Sequence, residues 1–186
     1  MPTSIDVVPQ GWWALADADS FYPDDLPREW QLTYFANAFP AVLVPGPAWL
    51  QRPETELADW RADVHPRFRF YLGLPAGTDG RARSRATAAL GPALTAFVDE
   101  PPEPRGNEPA ADPAADRASA LIAPDAGHRV GVARYCPCPL NNDLRGARDW
   151  LDAQTEPPRL VILDRPRSAD LEAWQDLLLL LGRSWR

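Results

Sequence analysis

A chain of 186 residues with a formal charge of −7 is long enough for one domain, and a domain of this size buries roughly 70% of its unfolded surface without needing disulfides or metal. All of its 19 basic residues are Arg, which excludes a Schiff-base lysine and a phosphate-loop lysine within these residues, because both chemistries need the amine. The acidic balance repels phosphate backbones and anionic headgroups, so neither nucleic acid nor a membrane surface is expected as a partner.

The opening Met1-Pro2-Thr3-Ser4-Ile5-Asp6 lacks a basic start followed by an apolar stretch, as a secretory signal would need. The longest apolar run, Leu177 to Leu181, is far short of the ~20 residues that span a bilayer. Two cysteines do not make a secreted disulfide framework. These features predict a cytoplasmic protein, and richness in Ala, Pro and Arg without Lys fits a GC-rich bacterial genome.

In chain order, short β-rich runs alternate with helical patterns. Ile5 to Pro9 reads as the first strand. A helix opened by Asp24, Asp25 and Pro27 follows, with Trp30, Tyr34 and Ala38 predicted as its buried stripe. Ala41 to Val44 is the second strand, and Glu54 to Val64 a helix with Leu57, Trp60, Arg61 and Val64 on one side. Arg67 to Leu74 alternates, with Phe68, Phe70, Leu72 and Leu74 opposite Arg67, Arg69 and Tyr71, which predicts a solvated face or an edge position. After a helix at 81–90, Ala93 to Val98 forms the fourth strand.

Residues 101–115 shift to Pro, Glu, Ala, Asp, Gly and Asn. They hold too little apolar surface to offset ordering entropy, and predict an irregular surface loop. A short helix is predicted over Asp116 to Ile122 and a strand over Arg129 to Tyr135. Asp143 then caps a helix reaching Gln154, with Leu144, Ala147, Trp150 and Leu151 inward. Leu160 to Leu163 is a continuous apolar strand, and Ser168 caps a last helix whose apolar face holds Leu171, Trp174, Leu177, Leu178 and Leu181.

Six strand–helix alternations predict one α/β domain over residues 1–186, with a parallel sheet and right-handed crossovers. A full eight-unit barrel needs at least ~200 residues. The expectation is therefore about six βα units, in an incomplete or flattened TIM-barrel-like sheet.

Several short motifs share an order and spacing with a known family. They are Gly11-Trp12, Phe21-Tyr22-Pro23, Leu26-Pro27-Arg28-Glu29-Trp30, Tyr34-Phe35-Ala36 with Phe39, Phe68-Arg69-Phe70, Leu90-Gly91-Pro92 and Pro101-Pro102. Over roughly residues 5–102 the chain resembles the DUF72 family of TIM-barrel-like proteins, a family of uncharacterised function. The resemblance implies polar pocket groups that this chain has largely replaced. Leu43 and Pro45 stand where the family carries a Glu and an Asn, and Tyr71-Leu72-Gly73 lacks the family's Lys. Asp99 or Glu100 stands for the Gln before the double Pro.

Ligands of parallel βα folds sit at the carboxyl ends of the strands. Those ends offer Asp99, Glu100 and Asp164 as catalytic candidates, and Trp12, Trp13, Trp49, Arg134 and Arg165 as ligand-binding ones, with Gln10 beside them. Such a set suits a sugar or an anionic small molecule. The bland alternative is carboxylates that are solvated or paired with Arg. Cys136-Pro137-Cys138 supplies only two sulfurs where zinc takes four ligands, so no metal and no cofactor are expected. His65 and His128 precede strands, on the side opposite the expected site.

These readings favour a non-catalytic domain acting by protein association or weak ligand binding. The alternative is a small hydrolase or isomerase that uses strand-end carboxylates on a sugar-like substrate. The five leucines from 177 to 181 place apolar side chains around most of the last helix, which points to a homo-oligomer or protein partner there.

Overall fold

The structure is a computed structural model and describes residues 4–100, 117–136 and 143–183. Seven strands form one sheet: β1 (Asp6–Pro9), β2 (Ala41–Val44), β3 (Arg69–Leu74), β4 (Leu94–Asp99), β5 (Arg117–Ile122), β6 (Arg129–Cys136) and β7 (Leu160–Leu163). Their spatial order is β1-β7-β6-β5-β4-β3-β2. Gln10, just after β1, bridges in parallel to Leu43 of β2, so the two edges of the sheet meet there and it forms a nearly closed barrel.

The expected six units become seven strands because residues 117–122 form a strand and not a helix. Arg-Ala-Ser-Ala-Leu-Ile favours a helix by composition, yet β5 pairs antiparallel with both β4 and β6. The turn at Pro124-Asp125-Ala126-Gly127, with Gly127 at φ 63°, folds β5 back on β6. Hairpin pairing overrides local propensity here. The remaining pairs are parallel. The predicted loop at 101–115 and Cys138 lie outside the described residues.

The outer layer contains α1 (Ala18–Phe21), a 3₁₀ turn at Arg28–Trp30, α2 (Gln31–Ala38), α3 (Gly46–Trp49), α4 (Glu54–Ala62), α5 (Gly80–Leu90), α6 (Leu144–Asp152) and α7 (Ser168–Leu180). No helix among the described residues is long and apolar enough to cross a membrane. On α2 the buried residues are Leu32, Phe35 and Ala36, while Trp30 and Tyr34 are 60% and 38% exposed. Two apolar stripes compete on this helix. Leu32, Phe35, Ala36 and Phe39 meet the sheet and leave the predicted stripe facing outward.

Asp143 caps α6 through the Gly146 N–H at 2.8 Å, as expected. Ser168 does not cap α7. The Asp170 carboxylate accepts the Arg167 N–H at 2.9 Å, and Asp17 accepts both the Ser168 N–H and its hydroxyl, at 2.9 and 2.6 Å. A carboxylate from the loop after β1 thus meets the positive end of the last helix.

The core has two parts. An outer cluster between sheet and helices includes Val42, Val44, Phe70, Leu72, Phe97, Val161, Leu163, Trp174 and Leu178. The barrel interior holds Val8, Ala41, Leu43, Tyr71, Ala96, Val98, Leu121, Ala133, Tyr135, Leu160 and Ile162. Leu43 therefore fills the apolar middle of the interior. The alternation of β3 has the same origin, since its second face looks into the barrel and not into solvent. Arg69 binds Asp6 through two hydrogen bonds of 2.7 and 2.5 Å, and the Tyr71 hydroxyl donates to the same carboxylate at 2.7 Å. This group plugs the amino-terminal end of the interior.

Candidate functional site at the barrel mouth

The opposite end of the interior is built around Glu100. Side chains alternate across a strand, and Val98 faces inward, so Asp99 turns outward, where it is exposed, and Glu100 turns in. The Glu100 N–H donates to the Leu74 carbonyl at 3.0 Å, extending the β3–β4 ladder by one residue. Glu100 Oε1 accepts the Gly46 N–H at 3.1 Å.

Two glycines make room for this carboxylate. A Cβ on Gly73 would lie 1.9 Å from Glu100 Oε1, and one on Gly46 would lie 2.8 Å from Oε2. At Gly73 the nearest atoms are those of the carboxylate itself, whereas at Gly46 a Cβ would first meet Pro75, at 2.3 and 2.4 Å. Trp49 secures the same corner from outside. It is fully buried, and its indole N–H donates to the Gly73 carbonyl at 2.8 Å.

Tyr135 and Arg117 complete the mouth. The Arg117 guanidinium lies 4.4 Å from the centre of the Tyr135 ring, within cation–π range. Because β5 runs antiparallel, its first residue reaches the carboxyl end of the other strands. Burial raises the Tyr135 phenol above its ordinary value, the Glu100 charge raises it further, and Arg117 pulls it back. The phenol therefore stays protonated at neutral pH and can donate or accept a hydrogen bond. Gln10, half-buried at the end of β1, occupies the same end.

The other residues singled out in the sequence lie elsewhere. Asp164 and Arg165 are exposed beyond β7, Arg165 at φ 44°. Arg134 is half-buried on the outer face of β6, between the inward-facing Ala133 and Tyr135. Trp12 is buried in the outer layer, edge-on to Trp13 at 4.6 Å and to Trp60 at 5.2 Å, and Trp13 is 43% exposed. Both tryptophans line a groove outside the barrel. Cys136 is buried against the helices, and among the described residues no three His, Cys, Asp or Glu side chains are so placed that they could hold a metal ion.

Arg117, Tyr135, Gly46 and Gly73 are the mouth residues that the sequence did not mark. Arg117 sat in a segment read as helix. The glycines gain meaning only once β3 and β4 are placed side by side.

The motifs that run from Gly11 to Pro102 are matched by a defined protein family. The family described as a protein of unknown function, DUF72, matches residues 9–122. The chain belongs to the DUF72 family. The match begins at the end of β1 and finishes with β5, so it includes Gly46, Gly73, Glu100 and Arg117, whereas Tyr135 lies beyond it. No curated protein and no solved structure matches the chain. In this DUF72 member the residue directly before Pro101-Pro102 is the inward-facing one of the two carboxylates considered there.

Proposed function

We propose that the barrel mouth binds a small hydroxyl-bearing ligand of the sugar or hydroxy-acid class, and that this DUF72 protein acts by binding and not by turnover. The observation that carries this reading is the Glu100 carboxylate, seated by Gly46 and Gly73 at the strand end that also holds Tyr135 and Arg117. Carboxylate, phenol and guanidinium together supply acceptors and donors for hydroxyls, with a positive charge for an anionic substituent.

Glycoside hydrolysis uses a pair of carboxyl groups flanking the bond. Among the described residues, the carboxylate at this mouth is Glu100, with the Tyr135 phenol and the Arg117 guanidinium at the same end, while Asp99 faces outward and Asp164 is exposed beyond β7. A thermal-shift screen of aldoses, sugar acids and sugar phosphates tests the proposal. Stabilisation of the wild type by a member of the panel, lost in Glu100→Gln and reduced in Arg117→Gln, is the expected result. No shift across the panel, or equal shifts in the variants, contradicts it. The alternative hydrolase or isomerase would show turnover that falls more than about tenfold in Glu100→Ala or Asp164→Ala, the size of effect expected for a general acid or base.

A second reading concerns association. Leu179 and Leu180 on α7 are 66% and 80% exposed, an apolar pair of the kind that marks contact surfaces. Self-association through α7 predicts a dimer in light scattering that dissociates in Leu179→Glu/Leu180→Glu. A wild type that is monomeric at micromolar concentration removes this reading.

A further inference from the structure

The exposed aromatic stripe of α2 and the tryptophans after β1 belong to a feature separate from the mouth. Between α2 and α4 runs a groove of about 850 Å³, floored by Trp12, Trp13 and Trp60. A smaller depression of about 370 Å³ adjoins it, sharing Trp13, Arg28 and Gln31. Trp13 offers the accessible indole surface, because Trp12 and Trp60 are almost fully covered.

The charges on the walls define what fits. Arg52 is taken up by Glu56 in an ion pair of 2.7 Å. Asp59, Asp63 and Glu29 line the groove with no ion pair among the described residues, against the single remaining cation Arg28. Asp59 on α4 and Asp63 at its C-cap stand one turn apart, where like charges repel. Asp63 also sits at the carboxyl-terminal end of that helix, the end whose dipole disfavours an acid. The helix thus carries two uncompensated unfavourable placements, both beside an exposed indole. A cation held in the groove would relieve both and would also meet the ring face, which attracts ammonium groups.

We propose that this groove is a binding site for a small organic polycation of the linear polyamine class, with its alkyl segments on Trp13 and its ammonium groups on Asp59, Asp63 and Glu29. A neutral sugar could lie on the indole but would leave the surplus negative charge unanswered. An anion would add to it.

Calorimetric titration of the full chain with spermidine at low salt tests the site. Saturable binding is expected, weakening about tenfold in Trp13→Ala, the loss of one cation–π contact in a partly desolvated site. A similar loss is expected in Asp59→Asn/Asp63→Asn, and binding should weaken as NaCl is raised. The same double substitution should raise the melting temperature of the ligand-free protein, which a merely structural role for the pair would not do. Glu100→Gln should leave spermidine binding unchanged, so this result stands apart from any result at the mouth. Absence of saturation at about 10 mM, a range in which even weak sites fill, overturns the proposal. So does binding that survives both substitutions, or binding of a tetra-arginine peptide by a protein that ignores spermidine.

Discussion

The two ends of the barrel interior hold polar side chains in opposite ways. At the amino-terminal end, Asp6 is buried and receives Arg69 through two hydrogen bonds and Tyr71 through a third. Each charge is answered by another side chain inside the protein. At the mouth, Glu100 is held by a backbone N–H and by the space over two glycines, and Arg117 rests on a phenol ring. Between the ends lies an apolar middle of Val8, Ala41, Leu43, Ala96 and Ala133. The Asp6 group lies at the amino-terminal ends of the strands, while Glu100 and Arg117, both half-buried, lie at the carboxyl ends. In βα barrels the carboxyl-terminal face is the functional one and the opposite face serves stability, and the binding proposed for this protein is placed at the former.

The largest effect expected from this contrast is at the plug. Asp6→Ala leaves the partly buried Arg69 without its carboxylate, and breaking a buried pair in this way costs up to about 3–5 kcal/mol. Urea denaturation should show the loss as a shifted midpoint. A variant within about 0.5 kcal/mol of the wild type, the range of ordinary surface changes, would mean that the plug is solvated.

Gly73→Ala sharpens the comparison at the mouth. Its methyl would lie 1.9 Å from Glu100 Oε1, so an overpacking cost of about 1–3 kcal/mol is expected. In a Glu100→Ala background the larger part of that cost should vanish, because the carboxylate overlaps are gone and the contact left is the Gly46 backbone N at 2.8 Å. A double-mutant cycle reads the coupling directly, and additive effects would place the Glu100 carboxylate elsewhere.

The plug, the mouth and the outer layer share a dependence on pH through buried tyrosines. Burial raises the phenols of Tyr22, Tyr71 and Tyr135 above the ordinary 10.0. A raised folded value means that the folded state keeps its proton where the unfolded state releases it. Stability from these groups is therefore intact below about pH 10 and is lost as the pH rises beyond it. Melting temperatures measured across the alkaline range should fall, and fall less steeply in Tyr22→Phe, whose hydroxyl donates to the Trp12 carbonyl. A flat alkaline profile would contradict the burial of these rings.

The parts legible in the sequence were those that a short window contains. β2 and β7 appear at Ala41–Val44 and Leu160–Leu163 as read, because branched apolar runs bounded by turn residues admit little else. β5 was illegible locally. Its composition favours a helix, and only the Pro124–Gly127 turn hinted at a hairpin. The plug was invisible for a different reason, since Asp6 lies 63 residues from Arg69 and 65 from Tyr71, and only the sheet order brings them together. Glu100 could be singled out by its place before Pro101-Pro102, but telling it from Asp99 required the inward parity of Val98. On α2 two apolar stripes were present, and tertiary packing chose Leu32, Phe35 and Ala36 over Trp30 and Tyr34.

The smallest expected change in stability carries the central claim. Glu100→Gln keeps the size of the side chain and an oxygen for the Gly46 N–H, and removes only the charge. Asp6→Asn makes the same exchange within the plug. Urea denaturation of both variants beside the wild type should place Glu100→Gln within about 1 kcal/mol of it, the scale of one neutral hydrogen bond. Asp6→Asn should lose several-fold more, because the partly buried Arg69 then faces an uncharged amide. Equal losses at the two positions, or a larger loss at Glu100, would show that the mouth is a structural plug like the other end, and the division of the barrel into a stabilising end and a binding end would fall.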